Sequence, residues 1–215
     1  MASILNNVAA LQATRQLGIT SLGMRSTIER LTTGKRINHA SDDATGLATA
    51  NTYNADARIA AEKRKLSNQD YFNATAKDGY LEEATNLVLR ATELIAGGNE
   101  SAAELTKVSS LALAAATKAG TTLTSITDAA SAKTALDKIA TDRGTIAGDM
   151  ATAQSNANLY GIEVENKTAQ MSNIMDADIG AEVVNLTKWQ ILNQSGVSAL
   201  SQANQASQSV LGLLR

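Results

Sequence analysis

Residues able to carry acid–base or metal chemistry are few in this chain, and their spacing argues against both. It holds one histidine, His39, and no cysteine. A paired-histidine H-E-x-x-H site, a Cys-ligated zinc site, a thiol nucleophile and a disulfide scaffold are therefore excluded. Asp42 and Asp43 follow the histidine closely and resemble an acid pair for general catalysis. Neighbours in sequence point about 100° apart on a helix with 3.6 residues per turn, however, and a role at a helix start accounts for both. No G-x-S-x-G or phosphate-binding glycine loop occurs. The expectation is a protein that is not an enzyme, with no catalytic residues, cofactor or metal.

The elements that hold these residues must be helices of unusual length. The only aromatic residues are Tyr53, Tyr71, Phe72, Tyr80, Tyr160 and Trp189, and proline is absent. Burial then falls to Ala, Leu, Ile, Val and Met, which pack helices closely. A mid-helix proline costs ~3 kcal/mol, so a chain without one can run on unbroken. The net charge of −2 is too small for a nucleic-acid binder, which needs a clustered basic face. Arg58, Lys63, Arg64 and Lys65 are the densest basic group, with Glu62 among them, and read as a solvated helix face. No secretory signal is readable at the start, and no apolar run approaches the ~20 residues that a bilayer requires, so no membrane partner is expected.

Helical periodicity runs almost throughout. Positions 136, 139, 143, 146, 150, 153, 157, 160, 164, 167, 171 and 174 follow a 3,4 heptad rule and form a coiled-coil seam with two polar exceptions, Arg143 and Lys167. A seam in the first half runs through Tyr80, Ala84, Leu87, Ala91 and Leu94, flanked by Val88 and Ile95, and stops at Gly97-Gly98-Asn99. Ser41 is the expected N-cap of that helix, with Asp42 and Asp43 in its first turn, giving a helix over 42–96. A shorter helix over 102–119 precedes a Thr/Ser-rich loop at 120–131, with a short strand or hairpin over 121–127 as its alternative. The predicted fold class is all-α: a long antiparallel coiled-coil rod with its N- and C-terminal helices paired.

No residue is charged from Met1 to Thr14 or from Trp189 to Leu214. Both segments are nevertheless amphipathic, through Ile4, Leu5, Val8 and Leu11 at one end and Val197, Leu200, Leu211 and Leu214 at the other. Asn, Gln and Ser on their remaining faces hydrogen-bond without the desolvation penalty of charge and so tolerate burial. Unpartnered apolar stripes at both termini point to a polymerisation interface. One alternative is that the two ends pair only with each other and close the rod into a monomeric bundle; another is a free-standing, monomeric helical binding module, which would need the rod without such ends.

Two strings sharpen this reading. Ile28-Glu29-Arg30-Leu31-Thr32-Thr33-Gly34-Lys35-Arg36-Ile37-Asn38 and Ala40-Ser41-Asp42-Asp43-Ala44-Thr45-Gly46-Leu47-Ala48, with a close through Gln190-Ile191-Leu192, Gln202-Ala203-Asn204-Gln205 and Val210-Leu211-Gly212-Leu213-Leu214-Arg215, resemble the two ends of bacterial flagellin. The resemblance implies a secreted, extracellular filament subunit exported through the flagellar type III channel. Residues 1–40 and 178–215 would form an inner channel-lining coiled coil, and 41–177 an outer helical rod. It implies as partners further copies of itself, a flagellar secretion chaperone, the filament cap and hook–filament junction proteins. A junction protein is itself the alternative within the structural class. Between the rod helices there is only a short connection, so no outer domain is expected, and the family's T-x-F-N-G string is missing.

The family's receptor-recognition patch resembles L-Q-R-V-R-E-L-A, where this chain has Leu89-Arg90-Ala91-Thr92-Glu93-Leu94-Ile95-Ala96. Arg90, Glu93 and Leu94 fit it; Thr92 stands in place of the second arginine. Weak or no Toll-like receptor recognition follows. Trp189, at the border of the uncharged C-terminal stretch, is expected to pack as core at a bend, and the 121–131 loop to face outward.

Overall fold

Five helices account for nearly all of the described residues: α1 (Val8–Thr33), α2 (Ala44–Gly97), α3 (Ala102–Ala119), α4 (Ala129–Met175) and α5 (Ile179–Leu213). They are seen in a computed structural model that describes residues 7–97 and 102–213, with side chains up to Ala206 in the last helix. Among the described residues there is no strand. The fold is all-α, as its periodicity indicated. By packing, the chain divides into Met1–Asn54 with Thr168–Arg215, and Ala55–Lys167.

The helix ends follow local chemistry, with one correction. Ser41 does not cap α2. Asp43 does, its Oδ1 accepting the Gly46 N–H at 2.8 Å, while Asp42 Oδ2 accepts the N–H groups of Asn38 and His39, each at 3.0 Å. The second aspartate wins because Asp42 is occupied in closing the turn before the helix. α2 ends at Gly97; Gly98 and Asn99 lie outside the described residues. Gly34 ends α1 in the left-handed region (φ 69°), its N–H reaching the Arg30 carbonyl. At α4, Asp128 Oδ1 accepts the Ser131 N–H at 2.7 Å and Ser131 Oγ accepts the Asp128 N–H at 3.0 Å, a reciprocal capping box.

In the Ala55–Lys167 unit, one face of α2 meets α3 and α4. Leu81, Val88, Ile126 and Ile139 are almost fully buried, and Ala84, Ala91, Ala112 and Ala116 let the helices approach closely. Each large aliphatic contributes about 1.5–3 kcal/mol when fully buried. The α2 seam keeps Ala84, Ala91 and Leu94 from the expected line and takes Leu81 and Val88 in place of Tyr80 and Leu87, with Leu81 at 0% exposure and Tyr80 at 43%. The α4 seam holds, and its polar exceptions are matched. Arg143 grips Asp78 through Nε at 2.7 Å and Nη2 at 3.1 Å, and Lys167 Nζ reaches Asp56 at 2.9 Å. Residues 121–127 form an unpaired strap rather than a hairpin. Thr121, Leu123 and Ile126 point inward, and Ser109 Oγ accepts the Ile126 N–H at 3.2 Å. The hairpin does not form because three inward residues bind the strap to the helices and no second strand is supplied.

In the other unit α1 and α5 run antiparallel. Asn7 Nδ2 donates to the Ala203 carbonyl at 3.0 Å, Leu17 packs at Gly196, Trp189 at Gly23, and Arg30 pairs with Glu182 at 3.3 Å, in falling order along α5. Two backbone bonds join the segment that follows α1 to the one that precedes α5, within the same unit: Arg36 N–H to Met175 O at 2.6 Å and Ala177 N–H to Gly34 O at 2.9 Å.

Candidate assembly interface

The α1–α5 seam is built from small and polar groups. Its most buried members are Thr20, Thr27 and Glu182, with Leu17, Met24, Leu31, Trp189 and Leu200 only half covered. The Thr20 hydroxyl donates to the Gln16 carbonyl one turn back, satisfying the group without a cross-helix partner. Glycine sets the spacing. A Cβ on Gly23 would lie 2.7 Å from Trp189 Cε2, and one on Gly196 would lie 2.8 Å from Leu17 Cδ2. Trp189 therefore packs against α1 inside the pair and carries Lys188 Nζ 5.5 Å from its ring centroid.

With so slight a seam, most of the large apolar side chains of both helices face outward. Val8 and Leu11 are exposed, Leu11 by 72%, and Val197 is exposed by 54%. Leu200 instead lies on the α1-facing line, one turn beyond Gly196. Ile4, Leu5 and Leu214 lie outside the described residues, and Leu211 lies in the backbone of α5 with its side chain outside them. Sequence reasoning missed Ile19, Leu22 and Ile28 on α1 and Ile179, Val183, Val184 and Ile191 on α5, all exposed. The signal was available: each helix has more large apolar positions than one stripe can hold, which marks two faces in need of partners.

The residues considered for chemistry have structural work. His39 Nε2 lies 2.9 Å from Glu29 Oε1. The backbone N–H groups of His39 and then Asn38 hold the Asp42 carboxyl below its ordinary range. No cluster of three or more His, Cys, Asp or Glu that could hold a metal occurs among the described residues, and no described helix is long and apolar enough to cross a membrane. In the receptor-like stretch, Arg90 donates to Glu93 at 3.2 Å and to Glu104 at 3.5 Å. The Glu93 hydrogen bond is the main cause of the raised guanidinium pKa. Leu94 is buried in α2's core face.

Comparison with known proteins meets the same two ends. A family model described as the bacterial flagellin N-terminal helical region matches residues 4–131, and one described as the bacterial flagellin C-terminal helical region matches residues 123–214. The chain is 28% identical to the flagellar filament 33 kDa core protein of Treponema phagedenis, covering 98% of this chain and 99% of that protein. It is 29% identical to the flagellar filament 30.7 kDa core protein of Treponema maltophilum, over 97% of this chain and 98% of that one. Identity to a flagellin of Salmonella typhimurium is 35%, over 76% of this chain and 32% of that protein.

Proposed function

The chain belongs to the bacterial flagellin family, and from that premise we propose that its two uncharged ends form the polymerisation device of the filament it builds. It is a structural subunit of the extracellular flagellar filament, in a short form without outer domains, since α3 passes directly to α4 through the loop at 120–128. Residues 1–40 and 178–215 form the inner, channel-lining coiled coil and 41–177 the layer around it. One observation carries the proposal: α1 and α5 pair through a seam of Thr, Gly and half-covered residues while Val8, Leu11, Val184, Ile191 and Val197 stay outside. Apolar area left in water by a subunit is recovered when copies meet, at roughly 25 cal/mol per Å².

Ile4, Leu5, Val8, Leu11, Val197, Leu200, Leu211 and Leu214 act at that interface, Leu200 by shaping the pair that presents the rest. Before assembly the same apolar faces need a secretion chaperone, and after export they meet the filament cap and the hook–filament junction. The protein has no catalytic role. Toll-like receptor recognition is weak, because Leu94 is core and Arg90 is held by two acids of its own chain.

Sedimentation with negative-stain microscopy tests the central point, comparing the full chain with one lacking residues 1–40 and 178–215. The full chain pellets as long thin tubes and the shortened chain stays in the supernatant. Two soluble monomers under salting-out conditions would overturn it.

A further inference from the structure

Glu182 is the only charged residue buried among the described residues, at 8% exposure, and its partner satisfies only half of it. Arg30 Nη1 meets Glu182 Oε1 at 3.3 Å, while Arg30 Nε and Glu182 Oε2 are buried with no partner. Arg143 behaves differently, offering Nε and Nη2 together and gripping both oxygens of Asp78. A buried ion pair stabilises a fold only when its remaining donors and acceptors are also satisfied, and here one of each is idle. An arginine held by Nη1 alone keeps its Nε–Nη2 edge for another carboxylate.

What that edge can reach is set by the turn after α1. A cavity of about 280 Å³ is lined by Arg30, Arg36, Ile37, Asp42 and Asp43, all in the same unit as Glu182. Arg36 is engaged, its Nη2 donating to the Ile174 carbonyl at 3.0 Å, and the nearby Glu29 is taken by His39. Each aspartate commits one oxygen to the backbone, Asp42 Oδ2 to Asn38 and His39 and Asp43 Oδ1 to Gly46. Asp42 Oδ1 and Asp43 Oδ2 accept no hydrogen bond among the described residues. Gly46 keeps the space beside Asp43 Oδ2 clear, since a Cβ there would collide with that oxygen. The backbone N–H groups of His39 and Asn38, and then the Arg30 charge, lower the Asp42 carboxyl pKa.

We infer that Arg30 is a two-position latch between α5 and the start of α2. In the position seen here it holds α5 through Glu182. In the other it turns its Nε–Nη2 edge across the cavity onto Asp42 and Asp43 and releases α5. One guanidinium fills one position at a time, so a loosened α5 and a tightened turn at 38–46 go together. A Glu182 left buried without its cation is destabilising, which keeps the second position sparsely filled until the surroundings of α5 change. The latch thereby carries the state of the terminal helix pair to the start of α2. It belongs to the single chain and goes beyond the filament reading, which it does not require.

Amide hydrogen exchange on the unpolymerised full chain tests this. Glu182→Gln keeps the shape of the side chain and removes the charge that holds Arg30. Exchange at Asn38, His39 and Gly46, whose N–H groups bond Asp42 and Asp43, should slow roughly threefold or more, while exchange along 183–191 quickens. Asp42→Asn with Asp43→Asn keeps an oxygen for each backbone bond and removes the second position. In that background Glu182→Gln should still quicken α5 but leave the turn unchanged. Arg30→Gln, which removes the latch itself, should quicken α5 without slowing the turn. If Glu182→Gln does not slow the turn, or slows it equally with both aspartates replaced, Arg30 is a fixed strut and the latch is overturned. Should Glu182→Gln unpair α5 altogether, Glu182→Asp, with the charge kept and the reach shortened, must show the same slowing in smaller measure, or the latch is likewise overturned. Neither reading uses pelleting, so failure here leaves the filament reading standing.

Discussion

The two halves of the molecule solve the problem of burial in opposite ways. The Ala55–Lys167 unit has a core of its own, with Leu81, Val88, Ile126 and Ile139 almost wholly removed from water. Among the described residues of the other unit, the only buried hydrophobic residues are Ile37 and Ala50, neither of them in α1 or α5. One unit gains its order from its own chain; the terminal helices hold a loose pair and leave most of their described aliphatic side chains exposed. The difference teaches that a helix can be ordered by a few close approaches, Trp189 on Gly23 and Leu17 on Gly196, while most of its apolar area remains available.

The comparison breaks most readily in the core. Ile139→Ala should destabilise the monomer by about 2–5 kcal/mol through the lost methyl groups and the cavity left behind. Leu200→Ala, at a half-covered site, should cost well under half of that. Urea titration of unpolymerised protein reads both, and equal losses would show that the terminal pair is as well packed as the core.

A smaller effect is expected at the Gly23 contact. Gly23→Ala puts a methyl 2.7 Å from Trp189 Cε2, and overpacking of this kind typically costs about 1–3 kcal/mol. Because Trp189 is the only tryptophan, its fluorescence reports the terminal pair alone. Emission should shift to the red while the amide hydrogen exchange of residues 81–91 is unchanged. An unshifted spectrum would mean that the ring is not seated on α1.

The smallest expected effect is with pH, in the better-packed unit. Asp128 is held below the ordinary carboxylate range by the Ser131 N–H and then the Ser131 side chain, and Asp142 by Lys138 and then the Thr121 hydroxyl. A depressed carboxyl stabilises the fold above its unfolded pKa, and the contribution is lost as pH falls through the lower folded value. Asp128 is exposed and Asp142 only partly covered, so the effect should be local. Hydrogen exchange in residues 121–131 should stay slow at the ordinary carboxylate pKa and quicken only below it. Asp142→Asn should make the Thr121 end of the strap fast at neutral pH.

Much of this was legible in the residues alone. A proline-free chain with helical period and glycine stops yields the positions of the helices, since these signals are local. The uncharged ends, with their apolar spacing and the Arg30 and Asp43 strings, led to the flagellin family and to assembly. Less legible was which of two neighbouring apolar residues takes the inward place, because one step along a helix is about 100° around it. Only the packed chain decided for Leu81 over Tyr80, and set Leu200 inward with Leu11 and Val197 outward. It also gave the α2 cap to Asp43, once Asp42 had closed the preceding turn, and matched Arg143 to Asp78 across a seam that sequence could read only as interrupted. These choices depend on what stands opposite each residue, and that is determined only when the helices meet.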